Sequence, residues 1–291
     1  MPFEQNSFHL FDPCGERYRL FARRPGKEML DPSVGAGGAI KIFLLLSVVL
    51  FLPLSVLDAQ GFQAGVWQAY GLVNMTDLNR YIVDSFNNLE ASYGMTDGSL
   101  SEITTASIVG LDAGYEFYPG LVIGARIGQM RVSEGRLAGT INNNPSTGQT
   151  GPFVITFNSS LVPYMVGGQL RLGQGTRFSF SGAVYFGYAV STADFNYSDS
   201  LGAFGIGSNV PLQGSGVCDD VSGELRYRIS ANVALGASLH LMTARISSVS
   251  PASDIPEANL SSGELFRDQR NSVLVLDYSN VAAALGLYFS F

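Results

Sequence analysis

Residues Ser272–Phe291 read SVLVLDYSNVAAALGLYFSF. Counting back by twos from Phe291 collects Phe289, Leu287, Leu285, Ala283 and Val281. The intervening Ser290, Tyr288, Gly286, Ala284, Ala282 and Asn280 are small or polar. Alternation with a period of two puts these sets on opposite faces of one β-strand. Termini in water are usually frayed and polar, so a strand closing on aromatics predicts an apolar medium for one face. Taken alone, the stretch also fits an edge strand of a soluble sheet.

Composition narrows the choice. A chain of 291 residues holds one or two domains. Charged residues make up 14% and glycines number 34, and mean hydropathy is +0.19, yet no run beyond residue 60 is apolar enough for a membrane helix. Hydrophobicity spread this thinly suits transmembrane strands, whose signal is weak per segment. With 19 Phe and 13 Tyr the chain is too aromatic for disorder. The net charge of -7 argues against a nucleic-acid partner. Of the two cysteines, Cys14 precedes the apolar leader described next and Cys218 stands alone after it. No intramolecular disulfide, Cys/His metal spacing, phosphate loop or nucleotide fingerprint is present, so no metal and no cofactor are expected.

Ile42–Leu57 reads IFLLLSVVLFLPLSVL, between Lys41 and Asp58-Ala59-Gln60. A positive residue, a short apolar core and a small residue before a polar start describe a secretory signal peptide. A retained anchor of that length would span only ~24 Å of a ~30 Å hydrocarbon core. The expected division is therefore 1–39 as an over-extended or disordered N-terminal segment, 40–59 as the signal peptide, and 60–291 as the working domain. Met1 and Met29 remain alternative starts. Lys27 and Lys41 are the only lysines, so the remainder carries eleven arginines against eighteen acids.

From Gly61 the chain breaks into eight amphipathic runs, at about 61–73, 106–118, 121–132, 153–172, 177–197, 217–229, 232–247 and the C-terminal stretch. The face to which strand one turns its residues stays open. Parity blurs in strand three after Gln129, which suggests a bulge, and Pro163 is awkward inside strand four. Pro119-Gly120, Gly173–Gly175 and Ser230-Ala231 are short turns, alternating with long polar segments near 74–105, 133–152, 198–216 and 249–271. Long and short connections around eight antiparallel strands are the layout of an up-and-down transmembrane β-barrel. In the first long segment Leu78, Tyr81, Ile82, Phe86 and Leu89 recur at helical spacing. A short helix over Asp77–Tyr93 is predicted, capped by Thr76 or Asp77 and resting on the barrel mouth as a plain cover or a lid.

A secreted lipocalin-type barrel is the competitor. The polar faces decide between them. Asp112, Glu116, Arg126, Arg171, Asp220, Glu224, Arg226 and Arg228 share their faces with Gly, Ser and Ala, as a crowded charged lumen requires. The opposite faces are Leu, Val, Ile, Phe and Tyr, as lipid requires, where a charge at the midplane costs ~2–4 kcal/mol.

In layout the stretch from Gln60 to Phe291 resembles the small eight-stranded outer-membrane barrels of the OmpA/OmpX/OmpW-like superfamily, and in residues the resemblance lies in the terminal Leu285, Leu287, Phe289 and Phe291. It implies an outer-membrane location in a Gram-negative envelope, contact with outer-membrane lipid and lipopolysaccharide, a monomer, and a terminal strand read by the barrel-assembly machinery. The function expected is structural or surface-interacting, with a packed lumen and no wide pore. The alternatives are a narrow channel or conduit for small hydrophobic solutes and a lipid A-modifying enzyme. For the last, Ser238 and His240 with Glu224 as orienting acid are the weak catalytic candidates, since all three share the inward parity. Asp219-Asp220, and Asp254, Glu257, Glu264 and Asp268 in the last loop, could bind divalent cations or lipopolysaccharide through bridging ions, but read better as ordinary solvated charge.

Overall fold

The structure, a computed structural model, describes residues 7–8, 20–21, 61–142, 150–175, 177–199, 209–254, 261–267 and 272–291. The predicted signal peptide at 40–59, the alternative start Met29 and the loop acids Glu257 and Asp268 lie outside them. Ser7–Phe8 and Leu20–Phe21 form a two-residue antiparallel pair. From Phe62 onward the elements are β1 (Phe62–Val73), α1 (Thr76–Tyr93), β2 (Met95–Ser101), β3 (Thr105–Tyr118), β4 (Leu121–Val132), β5 (Gly135–Ile141) and β6 (Gly151–Gln174). They continue with β7 (Phe178–Asp199), β8 (Asn209–Arg228), β9 (Val233–Ile246), β10 (Ser250–Pro251), β11 (Leu276–Asp277) and β12 (Asn280–Ser290).

Eight of these strands close a ring, in the order β1, β3, β4, β6, β7, β8, β9 and β12, and β12 pairs back onto β1. Every pairing is antiparallel. Following partners round the ring leads from Gln63 through Gly114, Gly124, Gly167, Tyr185, Asp220, Met242 and Asn280 to Val73, ten residues further along β1. A stagger of that size over eight strands tilts them about 40° from the barrel axis.

The outer wall carries the apolar sets. Leu285 is 73% exposed and Phe117 72%, with Leu72, Val109, Ile123, Leu172, Phe186 and Leu239 also outward. Water would penalise such a continuous band, whereas lipid does not. The terminal Leu285, Leu287, Phe289 and Phe291 belong to this band, and Phe291 N–H donates to Phe62 O at 2.9 Å, continuing the ladder at the seam. β1 turns Val66, Tyr70 and Leu72 outward and Gln63, Trp67 and Ala69 inward, which fixes the face left open by its sequence.

Above the band the two faces exchange polarity. β6 shows lipid Leu172, Leu170, Val166, Tyr164 and Val162, then presents Ser160, Asn158 and Thr156 on that same side. Its inward face changes from Arg171 and Gln169 to Met165, Leu161, Phe157 and Phe153. β7 behaves alike, with Val190 giving way outside to Thr192, Asp194 and Asn196, and Ala193 and Phe195 buried inside. The strands thus continue beyond the membrane as the wall of a head with an apolar core of its own. This corrects the expected bulge after Gln129. β4 stays in register from Ile127↔Tyr164 to Met130↔Leu161, and Met130 is apolar because it faces the dry interior. The ladder skips the two positions between, where Pro163, lacking an N–H, approaches Gly128. The irregularity in β3–β4 pairing falls instead at Glu116/Tyr118, beside the turn.

The head also revises boundaries. β8 begins at Asn209, eight residues before the predicted start, because Val210 and Leu212 fill the head from a stretch that reads as loop. β5 pairs with β6 and β2 with β5, extending the sheet within segments expected to be loop. α1 starts at Thr76 rather than Asp77, and its cap, Met75, offers no side-chain hydrogen bond. Thr76 bonds Asn74 instead and Asp77 pairs with Arg80 at 3.0 Å, so neither caps. Leu78, Tyr81 and Ile82 are buried, with Tyr81 against Phe195 at 5.4 Å and Phe266 at 6.3 Å. α1 is therefore inserted as part of the head's core. No described helix is long and apolar enough to cross a membrane.

Candidate functional site: a filled lumen

The inward side chains stack in layers from the short-turn end. In the lowest, Arg171 grips Glu116 with two bonds of 3.2 Å, and Glu116 also accepts the Gly120 N–H of the β3–β4 turn at 2.8 Å. In the next, Arg226 donates to Glu224 at 2.8 Å, to Gln63 at 2.9 Å and to Gln169 at 3.3 Å. Its guanidinium lies 3.9 Å from the Tyr288 ring. Tyr288 needs room on both sides and finds it over Gly65 and Gly236, where any Cβ would strike the ring.

Arg126 commands the third layer. It donates to both oxygens of Asp112, at 2.8 and 2.9 Å, and to Asp220 on the far wall. It sits 4.2 Å from the Tyr185 ring and 5.3 Å from Trp67, while Trp67 donates to Asp112 at 2.9 Å. One guanidinium thus ties β3 and β4 to β8 across the lumen with its bidentate geometry saturated. Above it the apolar Ile108, Met130, Leu161, Met165 and Met242 are buried. In the head beyond, the Tyr278 hydroxyl shares hydrogen bonds with Ser159 and Ser191. Burial pushes the Tyr278 phenol up to about 12, against those two bonds, and raises the Tyr197 phenol well above its ordinary range.

The eight charges expected in the lumen divide. Asp112, Glu116, Arg126, Arg171, Asp220, Glu224 and Arg226 point inward and pair. Arg228 does not; β8 ends there and its side chain is exposed at the rim. Asp219 and Asp220 face opposite sides of the wall and form no cluster. Among the described residues no group of three or more His, Cys, Asp or Glu is placed to hold a metal.

The catalytic candidates meet with one exchange. Ser238 Oγ lies 2.9 Å from His240 Nε2, and His240 Nδ1 lies 3.0 Å from Asp220. The orienting acid is Asp220; Glu224, the expected one, is held by Arg226 and Gln169. This is the order of a nucleophile, base and acid. Catalysis needs more than the order. All three side chains are buried, Trp67 stacks on the imidazole at 4.7 Å, and Arg126 Nη1 stands 3.4 Å from His240 Nδ1. Through these bonds Ser238 and His240 on β9 are tied to Asp220 on β8 and, by way of Arg126, to β4. Trp67, Tyr185 and Tyr288 are lumen residues that the sequence did not single out; their signal was the small residues packed around them in the same parity.

A closed antiparallel ring with a charged, packed interior and an apolar outer band defines a small transmembrane β-barrel. No family model and no curated protein matches the chain. Solved structures of similar architecture include Ail, the attachment invasion locus protein of Yersinia pestis, 11% identical, covering 80% of this chain and 99% of that one with a TM-score of 0.39. Neisserial surface protein A is 11% identical, covering 79% and 97%, TM-score 0.35. The outer-membrane protease OmpT of Escherichia coli is 9% identical, covering 80% and 98%, TM-score 0.41. These neighbours are small outer-membrane barrels.

Proposed function

We propose that this protein is an outer-membrane barrel whose work is done by its head, a structural or surface-interacting role with no through-pore. The observation that carries this is the filling of the lumen: three polar layers, an apolar layer and then an inserted helix occupy the axis in turn. On this reading the short turns and both ends of the 60–291 domain are periplasmic and the head is extracellular. Residues 40–59 act as the secretory leader, Leu285, Leu287, Phe289 and Phe291 mark the chain for barrel assembly, and lipopolysaccharide surrounds the monomer. The burial of Ser238 and His240, with Trp67 stacked on the imidazole, weighs against an enzyme, and the apolar layer weighs against a conduit.

Planar-bilayer recording on purified, refolded protein tests this. Silence is expected; reproducible unitary openings would establish the narrow channel in its place. Outer-membrane fractionation with heat-modifiable gel migration is the companion measurement, and a soluble periplasmic product would refute the membrane assignment.

A further inference from the structure

The positive charge of the barrel's lower end gathers in one cleft. Arg171, Arg177, Arg226 and Arg228 line a cavity of about 50 Å³ there, with Phe178 and Tyr288 among its walls and no acid among them. Arg171 and Arg228 also border an adjoining cavity of about 190 Å³, where Glu116 is the one acid. Glu116 is engaged by Arg171 and Glu224 by Arg226. Arg177 and Arg228 meet no carboxylate among the described residues. Arg226 is held in place in the cavity wall by Tyr288, Gln63 and Gln169. Two exposed, uncommitted arginines beside a fixed guanidinium suit an oxyanion.

The height of the cleft indicates the source of that anion. Phe178 lines the cavity yet turns outward, packed against Tyr227 at 5.1 Å in the aromatic margin of the lipid band. Headgroups of the periplasmic leaflet lie at that margin. Among the described residues, every side-chain carboxylate outside the lumen sits at the opposite, long-loop end or the upper margin of the band, and the two lumen acids nearest the cleft, Glu116 and Glu224, are already paired with Arg171 and Arg226. We propose that this cleft binds the phosphate of an anionic phospholipid headgroup in the periplasmic leaflet. The inference rests on the outer-membrane reading above, which fractionation tests separately.

The experiment is native mass spectrometry of the full chain in detergent, titrated with phosphatidylglycerol or phosphatidylethanolamine, for the unaltered protein and for R177Q/R228Q. Both arginines are exposed and outside the lumen network, so heat-modifiable migration should be unchanged and serves as the folding control. The expected result is one retained phosphatidylglycerol per barrel, weakened about tenfold in the double variant, with phosphatidylethanolamine held weakly by both. Equal retention by the two proteins, or no preference between the lipids, overturns the proposal. Titration with inorganic phosphate is the second arm. Phosphate displacing the lipid supports it; tight phosphate binding without lipid preference, lost in R177Q/R228Q, overturns the lipid assignment in favour of a soluble anion.

Discussion

Arg126 shows how much one side chain can organise. It pairs with two carboxylates on different walls and lies against two aromatic rings. Arg126→Met leaves Asp112 and Asp220 buried without their cation, a loss of about 3–5 kcal/mol, read as a lower unfolding midpoint in urea. The triple variant D112L/R126M/D220L removes the charges together and should recover most of that loss, since apolar replacement of a whole buried network is often neutral. Tyr278 offers a test by pH. Its phenol is neutral in the head until about pH 12, whereas an unfolded tyrosine ionises near 10. The contribution is full below pH 10 and lost as pH rises through 12, because the unfolded state sheds its proton first. The head should therefore loosen between those limits, followed by phenolate absorbance, and Tyr278→Phe should blunt that step. Parity alone placed the lumen charges on the inward face, but it could not say where a face ends. Arg228 keeps the parity of Arg226 and misses the lumen because β8 stops there. Nor could it supply register. Glu224 is the ladder partner of Ser238, yet its carboxylate is taken by Arg226, leaving Asp220 to reach His240.

At the level of elements, the strands within the lipid band were legible because only there is the outer face uniformly apolar. Past the lipid boundary the same alternation persists with its sign reversed. Met130 and Val132 after Gln129 then look like a slipped register, and Asn209–Gly216 looks like loop. β2 and β5 were hidden for a related reason: β2 is an exposed edge with a register shift between Thr96 and Ser99 and positive φ at Asp97. α1 was legible from its spacing, and its stop is a left-handed Gly94 with φ 60° whose N–H donates to Glu90 O at 3.0 Å. Gly94→Ala should cost about 1 kcal/mol through that backbone conformation alone, since a methyl group there would meet only open space. Gly173→Ala, equally open and without positive φ, should cost less. Thermal melts of the two variants compare them directly.

On the proposed reading the axis of the whole molecule is filled by three polar layers, held by Arg171, Arg226 and Arg126, and by one apolar layer above them. D112L/R126M/D220L removes only the Arg126 layer, so bilayers containing it should stay silent, as Met130, Leu161 and Met165 above it and the Arg226 and Arg171 layers below it still fill the axis. Adding Leu161→Ser and Met165→Ser should admit water only as far as the Arg226 layer, so any leak should stay small while that layer and the Arg171–Glu116 pair hold. Conductance that appears in the triple variant alone would place the barrier in the charge layer instead.

Strands β6 and β7 run without interruption from the lower turn into the head. Roughly ten residues of β6 stand above the lipid band, and at a rise of ~3.3 Å and a tilt of about 40° they lift the head by about 25 Å. A ladder of backbone bonds spans that height with no linker in it, so the head has no hinge. Its bearing relative to the membrane plane is set by the stagger of the barrel. On the proposed surface role, a partner would meet the head at one fixed stand-off and one fixed angle, as at the top of a mast.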